Sequence, residues 1–137
     1  MTKEDKDLLI KDICARLPYG VCVEHTSGFR GTLHNTTVYF TYNDDDTIKD
    51  YMCYTDFFKN EQCKIEFFKP YLFPLSSMTD EQKDVYCQLQ ERVIYNSKGP
   101  VTEDVMNYVN WCYENHLDIN DLIPKGLAID CTNLNIY

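Results

Sequence analysis

The sequence is poor in positive charge and in the short motifs by which enzymes and metal proteins are recognised. Thirteen basic side chains stand against 22 acidic ones, for a formal net charge of −9. Such a surface repels phosphate backbones, so direct nucleic-acid binding is disfavoured. No stretch approaches the ~18 apolar residues that span a bilayer, and the charged opening Met1-Thr2-Lys3-Glu4-Asp5 is no signal core. Neither membrane insertion nor export is expected. None of the seven cysteines forms a C-x-x-C pair, and an odd number cannot pair completely within one chain. They read as reduced, mostly buried thiols of a cytoplasmic protein. Phosphate loop, nucleophile motif, zinc signature and paired-acid motif are all missing, so no enzyme class is indicated and no cofactor is expected. Internal repeats and low-complexity segments are also absent.

What is present argues for a folded core. The 137 residues are 44% hydrophobic and 14% aromatic, with eleven Tyr and seven Phe. A chain of this size buries roughly 65–70% of its unfolded surface without staples, and one domain over 1–137 is the expectation.

Thr2 is placed to cap a first helix with Leu9, Ile13 and Leu17 at helical spacing, Leu8, Ile10 and Cys14 flanking, and Lys11 and Asp12 on the polar side. Leu17-Pro18 ends it. From Val21 to Phe68 short runs rich in Val, Tyr, Phe, Thr and Ile predict strands near 20–25, 28–34, 36–43, 47–54 and 62–68. Short turns between them suggest antiparallel hairpins in a meander, either a strongly bent sheet or a small barrel of four or five strands. Residues 69–78 contain Pro70 and Pro74 among Tyr71, Leu72, Phe73 and Leu75. The prolines argue against helix or central strand, and the apolar density argues against a solvated linker, so this segment is expected to cross a core shared by 1–68 and 79–137.

Beyond it, Thr79-Asp80-Glu81-Gln82 has the form of a capping box, opening a second helix with apolar positions Val85, Tyr86, Leu89 and Val93. Thr102 is read as the cap of a third helix with Val105, Val109, Cys112 and Leu117 inward and Met106, Tyr108 and Trp111 alongside. The tail from Leu122 adds a strand or lies over the helices. The fold class is therefore α+β: an N-terminal helix, a small bent antiparallel sheet or barrel, and two C-terminal helices.

Four pieces together form a pattern: Ile13 to Val21 (Ile-Cys-Ala-Arg-Leu-Pro-Tyr-Gly-Val), Lys69 to Thr79, Trp111 with Asn115-His116-Leu117-Asp118, and Leu122 to Ile129 (Leu-Ile-Pro-Lys-Gly-Leu-Ala-Ile). On these the chain resembles small uncharacterised proteins encoded by gut Bacteroidales and their phages and mobile elements. The resemblance runs nearly end to end and brings no activity and no catalytic residues. It implies a bacterial cytoplasm and a phage or prophage gene.

Candidate functional residues fall into five groups. Asp44, Asp45 and Asp46 resemble a cation loop in charge but lack its alternate spacing, glycine bend and terminal acid, so they read as a solvated hairpin tip. Cys22, His25 and His34 are the residues a hairpin would have to assemble for zinc or a Cys–His pair, with no fourth ligand evident. His116, near the end of the third helix, reads as a partner of the helix dipole or a polar helix-end residue. Asp80, Glu81 and Asp84 with Glu103 and Asp104 display an acidic face suited to a partner with a basic groove. The aromatic-rich sheet is suited to protein recognition, with Tyr54 to Phe58 the most exposed-looking run because Asp56 interrupts it, and Tyr54 and Phe57 its candidate contacts.

Composition and resemblance together suggest a non-enzymatic acidic protein-binding module that inhibits or modulates a host protein such as a defence or nucleic-acid-processing enzyme. The alternative is an accessory or structural subunit of a phage or mobile-element assembly, whose apolar surface drives oligomerisation.

If 69–78 is a seam and not a linker, Tyr71→Ala or Phe73→Ala costs about 3–5 kcal/mol and strands and helices melt together. Circular dichroism against near-ultraviolet signal checks this, two separate transitions being the contrary result.

Overall fold

The computed structural model describes residues 1–33, 37–54, 62–95, 99 and 101–137. Helix α1 (Lys3–Arg16) begins at Thr2, whose hydroxyl accepts the Asp5 N–H at 3.1 Å while the Asp5 carboxylate accepts the Thr2 N–H at 3.1 Å. Pro18 ends it through one 3₁₀ turn, and Gly20 at φ 71 turns the chain into the sheet.

The strands are β1 (Val21–His25), β2 (Arg30–Leu33), β3 (Thr37–Tyr42), β4 (Ile48–Tyr54), β5 (Gln62–Lys64), β6 (Phe68–Leu72) and β7 (Ile129–Asp130). They are followed in part by helices α2 (Asp80–Ile94) and α3 (Thr102–Glu114), which precede β7. The α+β class and the order of helix, strands and two helices match the expectation. The meander, however, divides: β3, β4 and β5 form one antiparallel sheet, while β2, β1, β6 and β7 form a mixed sheet in that order. The β6–β7 pair is parallel, Tyr71 opposite Ile129.

β6 corrects the reading of the proline segment, because Pro70 sits in a strand paired on both sides. The Thr26 N–H donates to the Phe67 carbonyl at 2.9 Å, which marks a hydrogen-bonded pair at that end of the ladder. Antiparallel pairs alternate, so Val23 and Pro70, three steps further on, form a non-hydrogen-bonded pair. The missing N–H therefore faces the β7 side, where pairing starts only at Tyr71.

Side chains alternate across β6 and each face has its own cluster. Val21, Val23, Phe68 and Leu72 pack with Leu9, Ile10 and Ile13 of α1, with Ile65, and with Leu122, Leu127 and Ala128 of the tail. This core draws on residues from both sides of the proline segment. On the opposite face Tyr71, Cys22 and Cys131 are buried under Phe73, Ile129 and Ile136. Tyr71 is almost wholly buried and Phe73 only partly, so the larger truncation cost belongs to Tyr71. The Tyr137 hydroxyl lies between the strands, accepting the Cys22 N–H at 3.1 Å and donating to the Tyr71 carbonyl at 2.8 Å.

Asp12 is not on the polar side of α1 but fully buried with Arg16 one turn on. Arg16 Nε and Nη2 donate to the two Asp12 oxygens at 2.5 and 3.0 Å, Nη2 also reaches the Leu117 carbonyl at 2.8 Å, and Asn120 Nδ2 donates to Asp12 at 2.8 Å. These distant partners explain the reversal: an i,i+4 pair looks like surface charge until the tail is folded over it.

Removing one member of this pair leaves the other charged and buried. Asp12→Ala should lower the urea-unfolding free energy by about 3–5 kcal/mol, whereas Asp12→Leu combined with Arg16→Met should recover most of that loss.

Candidate interaction surfaces

The α2–α3 hairpin is built from local signals. Thr79 caps α2 by the reciprocal box, its hydroxyl accepting the Gln82 N–H at 3.2 Å and the Gln82 side chain accepting the Thr79 N–H at 3.0 Å. The two helices meet through Tyr86 and Tyr108, hydroxyls 3.0 Å apart and ring centroids 5.5 Å apart, with Trp111 beside Tyr86 at 6.5 Å. Burial and the Tyr86 hydroxyl push the Tyr108 phenol well above its usual range, so it stays protonated.

Two readings of these helices need correction. Thr102 is the first helical residue, and Val101, at the cap position, offers no side-chain bond. The inward stripes are also incomplete: α2 has no buried residue, α3 has Cys112 alone, and Val85 and Val105 are exposed. Ile94, Tyr95 and Met106 are 61%, 79% and 55% exposed. The hairpin turns toward itself and toward solvent more than toward the sheets, which propensity and periodicity do not reveal.

The predicted acids lie where helix starts and turns put them. Asp80, Glu81 and Asp84 are exposed on the first turns of α2, Glu103 is exposed at the start of α3, and Asp104 is half-buried. With Glu91 and Glu114 they make seven acids against Lys83 and Arg92 over the two helices. Asp104 also joins Gln88, Glu91, Arg92 and Tyr95 around a shallow cleft of about 440 Å³. Asp44, Asp45 and Asp46 form the exposed β3–β4 turn. There Asp45 accepts the Thr47 hydroxyl at 2.5 Å and its N–H at 3.1 Å, which holds its carboxyl below the usual range. Tyr54 ends β4, and Phe57 lies outside the described residues.

Other chemistry is dispersed. Cys22 and His25 lie three positions apart on β1 and so face opposite sides, the His25 ring being bonded to Ser27, and His34 lies outside the described residues. Among the described residues no group of three His, Cys, Asp or Glu side chains is placed to hold a metal ion. Cys22, Cys63, Cys112 and Cys131 are buried, and Cys14 and Cys87 are exposed. Burial pushes the Cys112 and Cys131 thiols up to about 11. On the second face of the mixed sheet the Tyr71 hydroxyl donates to Glu24 and accepts from Arg30 Nε at 2.9 Å. This is a cross-strand polar cluster beside a groove of about 230 Å³ lined by Glu24, His25, Thr26, Phe67, Lys69 and Ile129.

His116 is the residue that sequence reasoning placed least well. It follows α3 at φ 55, buried, with its ring stacked on Tyr137 at 3.6 Å and 10°. Burial, then the Arg16 charge, lowers its pKa to about 4, so it is neutral and not a cationic partner of the helix dipole. The left-handed φ and burial follow from the turn that closes Leu117 back onto Cys112 at 3.0 Å.

No family model, curated protein or solved structure matches the chain. Among the described residues no helix is long and apolar enough to cross a membrane.

The unfolded chain protonates His116 near pH 6.5, the folded chain only near 4. The unfolded state therefore binds the extra proton between these values, and stability held above pH 6.5 is lost as pH falls toward 4, on the order of 3 kcal/mol from this group. Urea midpoints from pH 7 to 4 should fall less steeply for His116→Phe than for the parent chain.

Proposed function

We propose that the protein is an acidic, non-enzymatic protein-binding module that uses the α2–α3 hairpin to occupy a basic surface of a host protein. One observation carries this reading: α2 is a 15-residue helix with no buried residue, and the hairpin exposes Val85, Ile94, Tyr95, Val105 and Met106 among its acids. A large apolar residue set among like charges is the composition of a contact patch, with the apolar groups supplying affinity and the acids steering and selecting the partner. The small share of the core in α2 leaves its outer positions free to suit a partner without loss of fold. The resemblance to proteins of phages and mobile elements supports a bacterial host protein as the target, and a nucleic-acid-processing enzyme has the basic groove this charge pattern fits.

Capture from bacterial lysate on the immobilised protein, followed by titration with the retained partner, tests this. Reversing Asp84 and Glu91 to Lys should weaken binding about tenfold or more at low salt, and Met106→Asp should weaken it at all salt concentrations. Retention that is indifferent to both variants, or to salt, would overturn the assignment of this face.

A further inference from the structure

The ladder between β1 and β6 stops one step early, and a side chain takes the place of the next bond. The register that pairs Val23 with Pro70 puts Cys22 opposite Tyr71, where an antiparallel ladder makes its following hydrogen-bonded pair. Pairing ends at Val23 and Pro70 instead. The Tyr137 hydroxyl stands between the two strands, accepting the Cys22 N–H at 3.1 Å and donating to the Tyr71 carbonyl at 2.8 Å. Its ring lies flat on His116 at 3.6 Å and 10°, with the Phe73 ring beside it at 6.0 Å.

The walls of this slot belong to the core, and its occupant is held much less firmly. Cys22, Tyr71 and His116 are buried, and the His116 carbonyl accepts the Phe73 N–H at 2.9 Å, which fixes the imidazole turn to β6. Thr132, Asn133, Leu134 and Asn135 are exposed, and the hydrogen bonds of Thr132, Leu134 and the Ile136 N–H stay within 130–136. Among the described residues the segment beyond Cys131 therefore depends on Ile136 and Tyr137 for its attachment. Tyr137 is itself 45% exposed.

We propose that the slot bounded by Cys22, Tyr71, Phe73 and His116 is a binding site for a phenol, the group a tyrosine side chain carries, and that Tyr137 fills it as a displaceable internal ligand. The site reads two features together. One backbone donor and one backbone acceptor, set on adjacent strands, match a hydroxyl that accepts and donates at once, and a ring without that hydroxyl leaves both groups unsatisfied. The imidazole supplies a flat face that an aromatic plane covers and an aliphatic chain does not. Ligand and site are joined by a short segment, so Tyr137 competes at high effective concentration although its own hold is slight. The slot lies on the second face of the mixed sheet and uses no residue of α2 or α3, so it stands apart from the hairpin reading.

The probe is p-cresol, which is the tyrosine side chain without its backbone. By NMR titration Tyr137→Gly should bind it in the low-millimolar range and should bind toluene about tenfold more weakly. The unaltered protein should need a p-cresol concentration about tenfold higher or more, and its Tyr137 ring signals should move toward those of a free tyrosine as the probe binds. Tyr137→Phe supplies a measure that needs no ligand and keeps the ring: its Cys22 N–H should exchange with solvent about tenfold faster than in the unaltered protein. Equal binding of p-cresol by Tyr137→Gly and the unaltered protein, equal binding of p-cresol and toluene, or no binding to Tyr137→Gly would overturn the proposal. So would Tyr137 signals that stay in place while the probe binds, or a Cys22 N–H that exchanges no faster in Tyr137→Phe, the sign of a ladder closed directly.

Discussion

A buried guanidinium holds the ends of this structure together. Arg16 sits at the last turn of α1 with no exposed surface, joined to Asp12 below it, to the Leu117 carbonyl beyond α3, and to the face of Tyr113 at 4.8 Å. A cation in that position is tolerable only while all these partners are present, so α1, the end of α3 and the tail are obliged to assemble as a set. His116 must then be neutral beside it, and its ring supplies the flat surface on which Tyr137 stacks. Tyr137 in turn completes the hydrogen bonding between β1 and β6. The arrangement has a residual cost: among the described residues Arg16 Nη1 and His116 Nδ1 have no hydrogen-bond partner, a deficit of about 1–3 kcal/mol for each such group.

The division of labour in the chain follows from where apolar side chains end up. Among the described residues the mixed sheet, α1 and the tail contain nearly all of the fully buried ones, whereas α2 contains none and α3 one. A helical pair that adds so little to the core is expected to open at lower free energy than the strands, and its sequence is constrained mainly by its capping box, its Tyr86–Tyr108 contact and whatever it touches outside. The β3–β4 hairpin is the second place where apolar surface is left open. Open apolar surface is thus segregated from the residues that hold the fold.

What could be read from the sequence was mostly local. The cap at Thr2, the capping box at Thr79, the stop at Pro18 and the strand runs were legible because each depends on residues within one turn or one hairpin. Three features were not. Pro70 belongs to a central strand because its missing donor faces the side on which β7 has not yet begun, and a distant segment decides that. Asp12 is buried because Asn120 and Arg16 satisfy it, and Asn120 is 108 positions away. Val85 and Val105 keep helical spacing but have no wall to face, since amphipathicity records a capacity for burial and not the presence of a partner. The same limit applied to the surfaces: the acids were located by helix-start rules, while the apolar groups between them became visible only with exposure.

The two prolines flanking Tyr71, Leu72 and Phe73 also act as stops for the returning chain. β7 can find donors on β6 only past Pro70, and the strand ends before Pro74. Within that three-residue window Tyr71 and Leu72 take Ile129 and Asp130, and Phe73 takes Leu117 through bonds of 2.9 Å to the His116 carbonyl and 2.8 Å from the Asp118 N–H. The Leu72 carbonyl accepts the Cys131 N–H at 3.0 Å on the β7 side, whereas the Phe73 N–H and carbonyl, one residue on, face the β1 side, so the two returning segments dock on opposite edges of β6. A parallel pair of two residues would ordinarily be too short to define its own alignment. Here Pro70 defines it, because β7 finds its first N–H donor on β6 only beyond that residue.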